Sequence, residues 1–569
     1  MLNMHQISYF VRYMPITMNY VDCRWSWKAA ILCVFAAVTA SCTQIGNFAE
    51  KRADRAAYGN IQGAQLRALG KSEAFTIDAA EGSRIREMLE QEANAEQATL
   101  LTLSDTLAIA MANSRSYQSR KESLFIQALN LTQTQKDFNW DTSASSLNAS
   151  SSYTSDGSTT ETFGDNGLDG NLTLAVTRTL ASGAKVTLNY TESIVNYFTS
   201  PDSSSESSVL SFNIVQPLLN GFGPLVSMEP LRQAERSMIY SVRDFKRYQQ
   251  GFVIDITSQY YSTLRSRDQL NNARKNYENA LKSREQSEAY AKAGRIADFQ
   301  AAQARQSELN AADNWAIALA SYQSALDDFR YTLGLPIDLN VEPDPTELDA
   351  LAQRGLVGLD ITLEEAVTSA SSNRLDLITR RQQVEDQERN LEISRRNFLP
   401  NLDVEYNVSK DFANAGTNGT QQALDVGLNI PFDWTEKRNA YRIAQINMER
   451  ERRGLEEDEG NVLREVRDLW RKLERNRSVY KNRLLSVTLA ERRMENTSLL
   501  LKQGKALTRD LLDAQDDLLS SRNDATIALI DYTINRLSFW NAIERFEIDS
   551  KGMWYEQVDR TTDEPVEAP

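Results

Sequence analysis

The most constraining feature of this chain is an internal duplication. Leu101–Asn113 (LTLSDTLAIAMAN) is similar to Ile361–Asn373 (ITLEEAVTSASSN), and the offset of 260 residues continues without a gap to Phe138 and Phe398. A second block of matches has an offset of 210 residues and pairs Gly294 with Gly504, Ala304 with Ala514, Ile317 with Ile527 and Tyr322 with Tyr532. The first copy is therefore longer by about 50 residues between the two blocks. A repeat of this length predicts two similar structural units.

Two long stretches of the 569-residue chain lack proline. None occurs between Pro230 and Pro336 or between Pro431 and Pro565, which leaves 105 and 133 residues without it. Because proline breaks helix interiors, these stretches permit very long helices. Small and apolar residues recur there at spacings of three and four, which predicts coiled-coil packing. One helix of about 60 residues would be about 90 Å long.

Between the predicted helices, the apolar period changes to strict alternation. In the second copy, every second residue is apolar over 402–408 and again over 424–430. The first copy alternates in the same way at Leu172–Val176, Val186–Tyr190 and Leu210–Ile214, and more weakly near Ser145–Tyr153. We predict β-strands at these places.

The first copy has more strands than the second. Its β region is predicted over about 142–216, with a tight turn at Ala181–Gly183, and the second copy has one hairpin over about 402–430. The additional hairpin explains most of the length difference between the copies.

Strands with one apolar and one polar face suit a water-filled barrel in lipid. A soluble sandwich, or a sheet packed on helices, is the alternative. Four to six strands are too few to close a wide barrel, and an open sheet edge cannot be exposed to lipid. The membrane interpretation therefore requires several copies of the chain to complete one cylinder.

The amino-terminal region has the pattern of a bacterial export signal. Arg24 and Lys28 precede an apolar run over 29–40, which is too short to cross a bilayer but fits the apolar core of a signal peptide. We predict a signal peptide over 1–41, with Cys42 as the lipidated first residue of the mature chain.

Two alternatives remain open in this region. Thr39 occupies a position where lipoprotein signals usually have leucine, so cleavage after Ala40 without lipidation also fits. Met18 is an alternative start, because residues 1–17 match no signal pattern. Thr43 lacks the acidic character that retains lipoproteins at the inner membrane, which favours the outer membrane.

Removal of the signal would leave few side chains suited to catalysis. His5 is the only histidine, and Cys23 and Cys33 are the only cysteines besides Cys42. Histidine acid–base catalysis, cysteine nucleophiles and ordinary zinc sites are then excluded. The net charge of −15 argues against nucleic-acid binding. We expect no enzymatic activity, no cofactor and no metal.

The duplicated order of helix, β-hairpin, long helix, glycine turn and returning helix resembles the outer-membrane efflux protein family typified by TolC. The resemblance covers about residues 101–545. Its most specific motifs are the two repeat openings, Gln216–Gly223, Asn397–Pro400 and Gln503–Gln515. It implies a mainly α fold with β, in which a trimeric β-barrel is continued by a long periplasmic α-helical barrel.

The resemblance also implies a function. Such a homotrimer lies in the bacterial outer membrane, contacts its lipid, and extends its helices into the periplasm. It docks on a periplasmic adaptor protein and an inner-membrane RND or ABC transporter, and serves as a passive export conduit in tripartite efflux or type I secretion. The alternatives are a secreted coiled-coil scaffold or spacer, which leaves the alternating strands unexplained, and a stand-alone porin, which leaves the helical length unexplained.

The resemblance implies a periplasmic entrance beside the turn between the two long helices of the second repeat. Asp510 and Asp513 match the acidic positions that ring the periplasmic entrance in the family, whereas the simpler interpretation is that acids favour a helix N-terminus. The family's closed-state latch of tyrosine, arginine and aspartate is not matched, because the aligned residues are Leu501, Ala506 and Gln300. Lys505, Arg509 or Arg295 are candidates to replace it.

The helix tips are the expected adaptor contacts, at Gly294–Arg295 and Gly504–Lys505, although these residues would also serve simply to turn the chain. The predicted organisation is a periplasmic segment over 42–100 with a helical pattern near Ser83–Glu92, repeats over 101–350 and 351–549, and an acidic disordered tail over 550–569.

Overall fold

A computed structural model of the chain describes residues 48–78, 87, 98–152, 167–197, 205–412, 419–549 and 552–556. The predicted signal peptide, Cys42 and most of the 83–92 pattern lie outside these residues. The chain divides into two compact units, Met1–Gly59 and Asn60–Pro569. In the first unit, the described residues 48–59 are helical, and the helix α1 spans 48–69. All further elements belong to the second unit.

The first repeat consists of β1 (Thr99–Leu101), α2 (Leu103–Asn113), α3 (Arg115–Asp137), β2 (Asp141–Ser152), β3 (Gly167–Thr179), β4 (Lys185–Tyr197), β5 (Ser205–Pro217), α4 (Pro224–Ser227), α5 (Glu229–Lys292) and α6 (Asp298–Thr332). Next come β6 (Val341–Pro343) and α7 (Thr346–Arg354). The second repeat consists of α8 (Leu363–Asn373), α9 (Leu375–Arg396), β7 (Asn401–Asp411), β8 (Thr420–Asn429), α10 (Thr435–Lys502) and α11 (Thr508–Ala542), before β9 (Phe546–Ile548) and β10 (Trp554–Glu556).

Both repeats open with the same helix cap. The Thr102 hydroxyl accepts a hydrogen bond from the Asp105 amide at 3.2 Å, and the Thr362 hydroxyl accepts one from the Glu365 amide at 3.3 Å. The Thr362 amide also donates to Glu365 Oε2 at 2.9 Å, which completes a capping box. The sequence similarity of the two openings thus reflects one shared way of starting a helix.

The helical pattern from Leu103 to about Lys136 corresponds to two helices rather than one. The chain leaves helical geometry at Ser114, where ψ is 126°, and starts a new helix one residue later. Arg374 makes the same break in the second repeat, with ψ of 119°. A helical apolar pattern continues across such a one-residue break, so the pattern alone does not reveal it.

The C-terminal ends of α6 and α11 show how the copies diverged. Gly334 follows α6 with a φ of +74°, and Glu544, at the equivalent position after α11, has a φ of +58°. Glu544 is the only non-glycine residue with positive φ among the residues that the structure describes. Its carboxylate pairs with Arg247 at 2.8 Å and accepts a 3.4 Å hydrogen bond from the Leu375 amide. Burial raises the pKa of Glu544, and Arg247 opposes that rise.

The four longest helices form a single row. α5 packs against α6 on one side and α11 on the other, and α11 packs against α10. With 64 and 68 residues, α5 and α10 are each about 100 Å long. Leu511, Ala514 and Leu518 of α11, which have the spacings of three and four that predict coiled-coil packing, are buried, as are Ala304 and Ala311 of α6. Among the described residues, none of the helices has both the length and the hydropathy needed to cross a bilayer.

The strands predicted from the alternating pattern are present. Within the described residues they form one six-stranded sheet in the order β2-β3-β4-β5-β7-β8, and every neighbouring pair is antiparallel. The predicted turn at Ala181–Gly183 connects β3 to β4, with Gly183 at a φ of +91°. The β5–β7 ladder, from Val209 opposite Asp411 to Pro217 opposite Asp403, joins the two repeats.

The prediction of a disordered tail from residue 550 is wrong for residues 554–556. They form β10, which pairs antiparallel with β9 and places Trp554 opposite Ile548. The Trp554 ring lies 6.0 Å from that of Phe546, so apolar packing orders this segment despite the acidic residues that follow it.

A buried ionic network fixes α9 against α5. Asp386 is 3% exposed and lies 2.7 Å from the Arg236 guanidinium and 2.6 Å from that of Arg389. The Tyr240 hydroxyl donates to the other carboxylate oxygen of Asp386 at 2.6 Å. Arg236 also pairs with Glu385 at 2.8 Å and Arg389 with Glu229 at 3.2 Å, and Asp386 is the buried member that joins these pairs.

We therefore expect Asp386→Ala to destabilise the protein by about 1–3 kcal/mol, because two guanidinium groups and the Tyr240 hydroxyl lose a buried acceptor. The midpoint of thermal unfolding measures this loss. Asp468→Ala is the matched control, since Asp468 pairs with Arg471 on the exposed side of α10 and such pairs contribute at most about 1 kcal/mol. Equal shifts for the two variants would contradict the structural role given to the network.

Candidate functional site

The two predicted helix tips have the same backbone geometry. At the first tip, the Gly294 amide donates to the Ala291 carbonyl at 2.9 Å and the Arg295 amide to the Tyr290 carbonyl at 2.9 Å. At the second, the Gly504 and Lys505 amides bond to carbonyls three and five residues back, at 3.0 and 2.9 Å. This is the Schellman motif, which requires the left-handed backbone that glycine adopts readily.

Both tips lie at the same end of the helical row. Ser283, which precedes the first tip on α5, accepts a 3.1 Å hydrogen bond from Gln515, which follows the second tip on α11. Arg295 and Lys505 are exposed. The structure therefore brings two cationic side chains to the end of the row, on turns that the duplication makes equivalent.

The predicted entrance acids lie in the first turns of α11, beside these tips. Asp510 and Asp513 are both exposed, and their spacing places them on one helix face. Asp510 Oδ2 accepts a 3.0 Å hydrogen bond from the Leu507 amide, so this residue also serves the capping role considered as its alternative. Arg509 lies 3.7 Å from Asp513 on the exposed surface and offsets part of its charge.

Sequence reasoning missed a third acid of this group. Asp516 follows Asp513 at the same spacing, and burial raises the pKa of Asp516. A hydrogen bond from Asn276 lowers that pKa, and the neighbouring Asp513 and Asp517 carboxylates raise it further. Its continuation of the three-residue acidic spacing was the signal in the sequence.

Asp516 borders a polar groove of about 540 Å³ between α5, α6 and α11. Its lining is rich in amides, hydroxyls and carboxylates: Gln269, Asn276, Ser307, Asn310, Asn314, Ser520, Asn523 and Asp524. Polar side chains also join α5 to α11 nearby, because Asn272 bonds to Asn523 at 2.9 Å and Thr526 to Asp268 at 2.8 Å.

Within the described residues of one chain, the three positions aligned with the family latch make no polar contact with each other. Leu501 is buried, while Gln300 and Ala506 are partly exposed. Of the proposed replacements, Arg509 pairs with Asp513, and Lys505 and Arg295 lie at the exposed tips.

The two ends of the helical row expose apolar side chains. Leu309 and Ile317 are exposed on α6, and Leu485 and Leu489 are exposed on α10. These helices are the first and last of the row, so neither apolar flank is covered by another of its helices. Exposed apolar patches of this kind mark surfaces for association.

The sheet has one apolar and one polar face. Even-numbered residues of β4, β5, β7 and β8 are mostly apolar, and odd-numbered residues are mostly polar. The apolar side chains are exposed, at 68% for Leu424, 65% for Val426 and 59% for Leu428. On the polar face, the Asn213 amide donates to Glu405, and Glu405 lies opposite Asp425.

The comparisons with known proteins agree with this architecture. Residues 366–543 match the family model described as outer membrane efflux protein. The second repeat is an outer membrane efflux protein domain. The resemblance stated from the sequence is confirmed for this domain, which runs from α8 to the end of α11. None of the curated proteins matches the chain.

Several solved outer-membrane channels have a fold similar to most of this chain. The CmeC outer membrane channel of Campylobacter jejuni is 14% identical with a TM-score of 0.57, and the match covers 84% of this chain and 91% of that one. VceC of Vibrio cholerae is 13% identical with a TM-score of 0.56, covering 78% and 95%. The open MtrE channel of Neisseria gonorrhoeae is 16% identical with a TM-score of 0.55, covering 78% and 88%. At these identities the likeness shows the fold, and the predicted fold class is confirmed.

The tip geometry predicts opposite effects for two glycine substitutions. Gly504→Ala should destabilise the protein by about 1–2 kcal/mol, because alanine is strained at a φ of +71°. No atom lies within 4 Å of the added methyl group, so the effect is conformational. Gly460→Ala, in the exposed middle of α10, should stabilise by about 1 kcal/mol. Thermal unfolding of both variants checks the prediction, and a loss of stability for Gly460→Ala would contradict it.

Proposed function

We propose that this chain is the outer-membrane component of a tripartite efflux or type I secretion system, in which a homotrimer forms a passive export conduit. Repeats over 101–350 and 351–549 each supply strands to a barrel in the outer membrane and helices to a periplasmic cylinder. The conduit has no catalytic activity and no cofactor.

The main support for this proposal is the six-stranded sheet, which has one apolar and one polar face. Its exposed apolar face matches lipid and its polar face matches a water-filled lumen. In the described chain, β2 and β8 each have a neighbour on one side only. Because unsatisfied backbone groups are costly in lipid, those edges require partners from other copies. The apolar flanks of α6 and α10 support the same arrangement for the helices.

The rival function, a secreted coiled-coil scaffold or spacer, leaves the exposed apolar face of the sheet without a purpose. To distinguish the two, the protein is extracted in detergent, its subunit number is measured, and its conductance is recorded in planar bilayers. The channel requires a multimer that conducts ions. A monodisperse single subunit that stays in water without surfactant would refute it in favour of the scaffold.

The acids of α11 form the periplasmic entrance in this proposal. Three copies would concentrate Asp510 and Asp513 around one axis, which attracts cations and repels anions. The Arg509 side chain beside Asp513 reduces this effect.

We expect Asp510→Asn combined with Asp513→Asn to lower the cation selectivity of the reconstituted channel, and Arg509→Gln to raise it. The reversal potential in a salt gradient measures both effects. Asp468→Asn is the control, since this acid lies in α10 away from the first turns of α11. Unchanged reversal potentials for the α11 variants would remove these residues from the entrance.

The exposed tips are the proposed contact with a periplasmic adaptor protein, which connects the channel to an RND or ABC transporter of the inner membrane. Arg295→Glu with Lys505→Glu should then reduce export in cells while leaving single-channel conductance unchanged. Normal export by this variant, at wild-type protein levels, would limit the tips to turning the chain.

Lipidation of Cys42 would anchor each chain to the outer membrane next to the barrel. Labelling with a radioactive fatty acid, compared between the wild type and Cys42→Ala, tests it. Incorporation that persists in the variant, or is absent from the wild type, would favour cleavage after Ala40.

A further inference from the structure

We propose that all four strands of the first repeat, β2 to β5, belong to the barrel wall and that β2 pairs with β8 of the next copy. Three copies then form a cylinder of eighteen strands. The inference rests on the proposed trimer and concerns a joint that the efflux-protein domain of the second repeat does not contain.

The first argument is the continuity of the hydrogen-bonded ladder. β3 pairs with β4 from Gly167 opposite Tyr197 to Thr179 opposite Lys185, without a register shift. β2 in turn pairs with β3 along its whole length, from Asp141 to Ser152, with a single irregularity near Ala144. β2 and β3 are therefore paired as fully as β4, β5 and β7.

The second argument is the continuity of the apolar face. Leu174 of β3 lies opposite Tyr190 of β4, which lies opposite Leu210 of β5. In the next row, Val176, Leu188 and Phe212 follow each other in the same way. Leu174 and Leu188 are 42% and 40% exposed, so β3 presents the same apolar surface as its neighbour β4. A hairpin that projected into water would not need this face.

The third argument is the attachment of the β3–β4 turn to the junction between sheet and helix. A Cβ on Gly183 would lie 2.4 Å from the Gly221 carbonyl oxygen, so the β3–β4 turn packs directly on the chain before α4. The Gly223 amide donates to Ser182 O at 3.0 Å, and Ser182 Oγ donates to Gln216 at 2.9 Å. At the start of β2, the Arg178 guanidinium lies 5.4 Å from the centre of the Trp140 ring.

The fourth argument is strand direction. Six strands alternate in direction across the sheet, so β2 and β8 run opposite to each other. Pairing of β8 with β2 of the next copy therefore continues the antiparallel pattern around the ring. With a strand spacing of about 4.8 Å and a tilt of about 40°, eighteen strands give a backbone diameter of about 36 Å, against about 24 Å for twelve. The membrane section is then wider than that of a twelve-stranded ring.

Cryo-electron microscopy of the detergent-solubilised wild-type protein tests the inference by the number of strands in the ring. Eighteen strands with β2 beside β8 of the next copy are expected. A trimer of twelve strands, with β2–β3 outside the wall and β4 beside β8, would overturn the inference and leave the proposed function intact. A particle without three-fold symmetry or a ring would overturn the proposed function itself.

Two further measurements address the joint directly. Single cysteines along 142–151, combined with single cysteines along 421–428 and a bifunctional thiol reagent, should yield covalent trimers on denaturing gels. The matched set along 186–193 with 421–428 should not, because β3 separates β4 from the joint; the reverse result would overturn the inference. Deletion of 141–180, which joins Trp140 to Ala181, should give a ring of twelve strands with a diameter about one third smaller.

Discussion

The structure depends on the antiparallel ladder between β5 and β7. This ladder is the place where the first and second repeats share backbone hydrogen bonds in the sheet. Without it, the chain would contain a four-stranded and a two-stranded sheet, each with two open edges. With it, there is one sheet, one apolar face and one pair of edges, and each repeat can direct its long helices away from the same side of the sheet.

The duplication gives both repeats similar turns and helix ends, and the differences between the copies show which residues can occupy the same backbone conformation. Both Schellman turns at the tips use glycine, because the turn requires the positive φ that glycine adopts without strain. After α6, Gly334 is required by space, because a Cβ would lie 2.2 Å from the Asn113 carbonyl oxygen. After α11, Glu544 adopts the same backbone because Arg247 and the Leu375 amide hold its carboxylate. In the second repeat a buried ion pair therefore stabilises a positive φ, whereas in the first repeat glycine adopts it without strain.

Much of this fold is readable from the sequence, because its periodicities are long and unambiguous. The two proline-free stretches, the alternation over 402–430 and the glycines at 294 and 504 each produced the predicted element. The breaks at Ser114 and Arg374 were not readable, since they depend on tertiary contacts and leave the apolar pattern intact. The strand at Trp554 was not predicted for the same reason, because its partner Phe546 lies in a segment whose sequence pattern does not indicate strand pairing. In the candidate site, Asp510 and Asp513 were found by resemblance and Asp516 continues their spacing, whereas the groove it borders required the packing of three helices.

The β5–β7 ladder has a consequence for the time course of folding. Its partners are separated by the whole of α5, α6, α8 and α9, so it forms late, after both repeats have been synthesised. Strands β2 to β5 can pair locally before that, which leaves β5 as an open template in a chain still in transit. Open edges of this kind promote association with the wrong partner. Until β7 pairs with it, β5 is therefore the edge at which an incompletely folded chain is most exposed to wrong pairing.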